Sequence, residues 1–135
     1  MSKILIVEDD PIISRMYAQA LEFERHEVVV AFDGEEGYEK VSENNPTIIL
    51  LDVMMPKMNG FELLDKLKGD LRYKNIPVVM LTNLSENKDA ENALLKGAVK
   101  YIIKGDNTPK QVVEMVKEII NAYSRGDMPA PVVKP

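Results

Sequence analysis

Five short apolar runs, each followed by a segment with helical periodicity, confine this chain to a narrow set of folds. The runs occupy residues 3–7, 27–32, 47–51, 77–81 and 100–103. The helical segments occupy 11–23, 34–43, 60–68, 87–96 and 109–123. Near-continuous stretches of Val, Ile and Leu, closed by loop signals, predict strands buried on both faces. Their regular exchange with amphipathic segments across short connections predicts βα units. The fold class is therefore α/β, with a doubly wound, five-stranded parallel sheet and right-handed crossovers.

The helix starts carry chemical labels. Asp10-Pro11 reads as an N-cap followed by proline at the first helical position. Asp33 with Glu36, Asn59 with Glu62 and Thr108 with Gln111 have capping-box spacing. In the first helix Ile12, Ile13, Met16, Tyr17, Ala20 and Leu21 form a stripe expected to pack on the sheet. Val112, Val113, Val116, Ile119, Ile120 and Tyr123 do the same in the last. The fourth helix offers only Ala90, Ala93, Leu94 and the nearby Ala98, so it is expected to be the least firmly held.

Bulk properties remove several function classes. The chain has 135 residues, enough for one domain with a moderate core. A net charge of −5 argues against a general surface for nucleic acid or anionic membrane. Cysteine is absent, which excludes disulfides, thiolate metal sites and a cysteine nucleophile. No apolar stretch reaches membrane-spanning length and Met1-Ser2-Lys3 shows no secretory pattern, so the expected location is cytoplasmic. His26, the only histidine, is expected on the surface between the first helix and second strand, far from any acidic group of interest.

The chemistry gathers at strand ends. Asp52 closes the run Thr47-Ile48-Ile49-Leu50-Leu51, and Glu8-Asp9-Asp10 closes Ile4-Leu5-Ile6-Val7. Open α/β sheets bind ligands outside the carboxyl ends of their strands. Carboxylates gathered there repel one another unless a cation joins them, which points to a hard metal ion. Asp10 itself is assigned to the helix cap. Met54, Met55 and Met58 are expected to pack the following loop, since thioethers suit soft metals.

Glu8-Asp9, Asp52, Thr82 after Val78-Val79-Met80-Leu81, and Lys104 after Tyr101-Ile102-Ile103 together resemble a two-component response-regulator receiver domain, chemotaxis-regulator-like and single-domain. The resemblance covers about residues 3 to 122. It implies a flavodoxin-like (βα)5 fold with strand order 2-1-3-4-5, a receiver domain at 1–123 and a flexible Pro-rich tail at 124–135. It implies that Asp52 is the phosphoacceptor, taking a phosphoryl group from a phosphohistidine on a sensor histidine kinase or phosphotransfer protein. Mg²⁺ is the implied cofactor, held by Asp9, by Glu8 through water, by Asp52 and by the Met54 backbone carbonyl. Lys104 neutralises charge, and Thr82 and Tyr101 act as the switch. A downstream target reads the face of helix four, strand five and helix five, and the chain is monomeric or dimerises on phosphorylation. It catalyses only its own phosphorylation and slow dephosphorylation.

Two departures bear on that reading. Gly105 follows Lys104 where receivers commonly carry proline, and Asn83 stands where the residue after the threonine is usually small. Met54 and Leu84, two residues beyond the acceptor and the threonine, are apolar and predict slow loss of the phosphoryl group. The alternatives are a diverged receiver that binds partners without phosphorylation and an aspartyl-phosphate phosphohydrolase. The hydrolase pattern places a second Asp two residues after the nucleophile, where this chain has Met54. A flavodoxin-like nucleotide binder needs a phosphate-cradling loop, and the acidic turn at 8–10 is electrostatically wrong for one.

Overall fold

The structure, a computed structural model, describes residues 2–84 and 87–124. Strands β1 (Lys3–Val7), β2 (Glu27–Ala31), β3 (Ile48–Leu51), β4 (Val78–Thr82) and β5 (Lys100–Ile103) alternate with helices α1 (Pro11–Phe23), α2 (Gly34–Asn44), α3 (Gly60–Lys68), α4 (Asn87–Leu95) and α5 (Pro109–Ser124). All strand pairs are parallel and the order is β2-β1-β3-β4-β5, as the sequence implies. Boundaries move by one residue in places. Phe32, Thr47 and Pro77 fall outside strands, Thr82 is the last residue of β4, and α5 includes Ser124. The remainder of the expected tail, 125–135, lies outside the described residues.

Strand residues alternate between two separate cores because successive side chains leave opposite faces of a sheet. Leu5, Val7, Ile49, Leu51, Val78 and Met80 meet Val41 of α2 and Leu63, Leu64 and Leu67 of α3. Ile4, Ile6, Ile48, Leu50, Val79 and Leu81 meet Tyr17 and Leu21 of α1 and the Val112–Ile120 stripe of α5. Burying each such branched side chain contributes about 2 kcal/mol. By that measure α5, with five buried apolar residues, is held far more firmly than α4, which fully buries Ala93 alone. The C-terminal end of α4 is nevertheless tethered: Lys96 Nζ donates to both carboxylate oxygens of Asp65 on α3, at 3.0 and 2.8 Å.

The α1 stripe needs correction. Tyr17 and Leu21 are buried, with Ser14 one turn before them on the same face, whereas Ile12 is 79% and Met16 41% exposed. The helix is rolled so that positions 14, 17 and 21 meet the sheet, and an apolar residue at 12 or 16 is carried outward. The caps follow expectation more closely. Asp10 accepts from Ile12 and Ile13 N–H, and Asn59 with Glu62 and Thr108 with Gln111 form reciprocal boxes. Asp33 caps Glu36, but the Glu36 carboxylate reaches one residue further back, to the Phe32 N–H. His26 is not a free surface group. It is half-buried, its Nδ1 is enclosed without a hydrogen-bond partner, and burial holds the imidazole below its usual pKa.

Candidate functional site

Strand register delivers the acidic residues side by side. Val7 pairs with Leu51, so Glu8 and Asp52 emerge as neighbours, and the Asp52 N–H donates to the Val7 carbonyl at 3.0 Å. Carboxylate oxygens of Glu8, Asp9 and Asp52 all lie within 4.8 Å of one another. Lys104, one residue past β5, reaches across the sheet edge. Its Nζ donates to Glu8 Oε1 at 2.9 Å and to Asp52 Oδ2 at 3.2 Å. Glu8 and Asp52 are buried and Asp9 is exposed. Three carboxylates facing one ammonium leave a negative excess, and the donors are all oxygen, which suits a hard divalent cation.

The turn after Asp52 depends on close backbone packing. Gly60 N–H donates to the Val53 carbonyl at 2.9 Å, which brings the start of α3 against the end of β3. A Cβ on Gly60 would strike the Asp52 carbonyl oxygen and lie 2.8 Å from Val53 Cα. Met54 N–H points at Asp52 Oδ1, at 3.4 Å. The methionines divide: Met55 and Met58 pack on the core, but Met54 is 64% exposed and lies outside it.

Electrostatics at the cluster are strongly shifted. The Glu8 carboxyl is pushed up to about 8, first by burial, then by the neighbouring Asp52 carboxylate, with Lys104 opposing. For Lys104, burial pulls downward but is outweighed by Glu8 and Asp52, so the ammonium is held above its usual value. A carboxyl raised by folding stabilises the protein fully below its unfolded value of 4.5 and progressively less as pH rises through about 8. We therefore expect the urea midpoint of metal-free protein to fall across that window, by at most about 1.4 kcal/mol per pH unit. Glu8→Gln should flatten the profile; an unchanged slope in that variant would refute the assignment.

Thr82 and Tyr101 converge on a different residue. The fully buried Thr82 presents Oγ1 to the Leu84 N–H at 3.4 Å, and the Tyr101 hydroxyl donates to the Leu84 carbonyl at 2.9 Å. Burial, then the charges of Asp89 and Asp52, pushes the Tyr101 phenol up to about 12, so it remains a donor at neutral pH. Gly105 lies in a 3-10 turn, Lys104–Asp106, with open space where a Cβ would stand. Lys104 is positioned by its carboxylate partners without a proline beside it. Asn83 is exposed and lines an open cleft with Met16, Tyr17, Lys104 and Asn107.

Sequence reasoning missed two contributors. Tyr17 reads as a core residue of α1, yet it borders the same small cavity as Glu8, Asp52 and Lys104. Leu84 enters through its backbone, which no side-chain pattern reports.

Comparisons with known proteins agree with this geometry. The model of the response regulator receiver domain matches residues 4–117. The chain is 38% identical over 119 residues to the transcriptional regulatory protein SrrA of Staphylococcus aureus, covering 88% of this chain and 48% of that protein. It is 36% identical over 118 residues to hybrid signal transduction histidine kinase D of Dictyostelium discoideum, covering 87% of this chain and 7% of that one. The chain thus spans about half the length of the first relative and a small part of the second. The solved response regulator receiver domain protein (CheY-like) of Methanospirillum hungatei superposes with a TM-score of 0.86 at 31% identity, over 93% of this chain and 98% of that one. With strand order, acidic cluster and family model in agreement, this chain belongs to the response regulator receiver domain family of two-component signalling.

Proposed function

We propose that Asp52 is the phosphoacceptor of this receiver and that the domain passes its state on by changing a partner-binding surface. The observation that carries the reading is a buried Asp52 carboxylate sharing the Lys104 ammonium with Glu8, beside the exposed Asp9. An Asp52 oxygen attacks phosphorus of a phosphohistidine. The new O–P bond forms as the N–P bond breaks, and the imidazole leaves with that electron pair. Lys104 neutralises charge on the transferring group, and the Met54 N–H is placed to donate to it.

Glu8, Asp9, Asp52 and the Met54 carbonyl are the residues that would hold Mg²⁺, which when bound supplies further charge neutralisation. The oxygen-only donor set supports this choice. Receivers interact with histidine kinases or phosphotransfer proteins and with downstream effectors. Here the exposed Ile12 and Met16, beside the cleft leading to Lys104, offer apolar contact for the donor protein. The downstream partner reads α4, β5 and α5. Thr82 bonds to the phosphoryl group, gives up the Leu84 N–H, and the loop that also anchors Tyr101 shifts. The sparse burial of α4 suits an element with two arrangements of similar energy.

The receiver unit extends through α5. No helix among the described residues is long and apolar enough to cross a membrane, and we place the domain in the cytoplasm. Incubation with a small phosphodonor and Mg²⁺ should add the mass of one phosphoryl group, read by intact mass spectrometry. No gain in mass would overturn the proposal. Once formed, the phosphoryl group should be lost slowly, since neither Met54 nor Leu84 offers a polar side chain to hold attacking water. Met54→Asn should accelerate decay several-fold, and a mutant no faster than wild type would count against that account.

A further inference from the structure

The packing beneath the acidic cluster is incomplete. Glu8 is 4% exposed, and while Oε1 accepts from Lys104, the enclosed Oε2 has no hydrogen-bond partner. A cavity of about 10 Å³ lies against the same residues, and that volume admits one water. Its polar lining is Glu8, Asp52, Lys104 and Tyr17; the rest is strand and helix residues of the adjacent core.

Tyr17 is the unexpected member. It is 3% exposed, and its hydroxyl bonds no other described residue. Buried phenols ordinarily find a partner. The Tyr17 phenol is raised above its usual pKa first by burial, with Lys104 lowering and Glu8 raising it, so both charges lie within electrostatic reach. Packing on the apolar side of β1 and β3 makes no use of a hydroxyl. Glu8 Oε2 is thus enclosed without a partner, and Tyr17, whose unpaired hydroxyl is not itself among the enclosed atoms, lines the same water-sized space.

We propose that the Tyr17 hydroxyl and Glu8 Oε2 hold a single water between them, and that this bridge fixes the Glu8 carboxylate so that Oε1 stays on Lys104. Tyr17 touches no reacting atom and is a positioning residue. Its functional consequence rests on the Asp52 reading; the water itself does not. A carboxylate fixed from behind presents its oxygens to a cation at lower cost, and losing such an outer partner weakens metal affinity about tenfold or more.

The test uses metal-free crystals at high resolution and Mg²⁺ titration calorimetry of wild type, Tyr17→Phe and Tyr17→Leu. Wild type should show one ordered water within hydrogen-bond distance of the Tyr17 hydroxyl and Glu8 Oε2, and Tyr17→Phe should lose it. Both variants should bind Mg²⁺ about tenfold more weakly. Phenylalanine keeps the ring, so its urea midpoint should match wild type, which a merely structural role could not reconcile with weakened binding. A dry cavity in wild type, or Mg²⁺ affinity unchanged in Tyr17→Phe, overturns the inference. A wild type that binds no Mg²⁺ overturns the metal site instead, and the crystal comparison still decides the water.

Discussion

Asp52→Asn is expected to abolish phosphoryl uptake while leaving the fold intact. The amide preserves shape but keeps a single acceptor oxygen, so of the two contacts, from the Met54 N–H to Oδ1 and from the Lys104 ammonium to Oδ2, one is retained and the other position becomes an NH2 donor. A neutral amide lacks the anionic oxygen that attacks phosphorus, and the loss should be complete on the scale of intact mass spectrometry. Removing that charge should also act on its neighbour. The neighbouring Asp52 carboxylate raises Glu8, so in the variant Glu8 should titrate below about 8. The metal-free variant should then lose less stability as pH rises from 4.5. A variant that still acquired one phosphoryl group would transfer the role to another carboxylate, with Asp9 the first to examine.

Gly60→Ala is expected to be the most damaging glycine-to-alanine change among the described residues. Its Cβ would press on the Asp52 carbonyl oxygen and sit 2.8 Å from Val53 Cα. Both are backbone atoms at the end of a central strand and cannot swing aside as a side chain does. Overpacking of this kind costs about 3 kcal/mol, enough to move a urea midpoint plainly. The strain falls on the peptide that aims Asp52, so phosphorylation by a small donor should slow even at temperatures where the variant is folded. By contrast Gly105→Ala meets open space and should leave stability unchanged. Equal stability of the two alanine variants would refute the packing account.

The parts of this molecule that were legible in the sequence share one physical origin. Parallel strands buried on both faces must be nearly all apolar, so a carboxylate or lysine at the end of the run marks the sheet edge directly. Glu8, Asp9 and Asp52 were readable for that reason, Lys104 only in their company through the family resemblance, and Asp10 because proline at 11 labels a cap. Features set by helix rotation were not. The stripe containing Ile12 and Met16 has the correct period, but a shift of one position turns both outward while Ser14 goes in. His26 and Met54 exchanged their expected surroundings, one half-buried and the other exposed, because loop side chains carry no periodic signal. The hydrogen bonds to Leu84 use main-chain groups, and the space beside Tyr17 arises only when α1 meets β1 and β3.

Two neighbours of the reactive centre contribute through their peptide groups: residue 54 through an N–H aimed at Asp52, and residue 84 through an N–H and a carbonyl. Those groups are common to every amino acid except proline, which lacks the N–H. On the proposed reading, their side chains would be at liberty to set how long the signal persists, while the lever that transmits it stays the same. Timing and transmission would then be separable, and mutational drift could adjust the clock without rewiring the message.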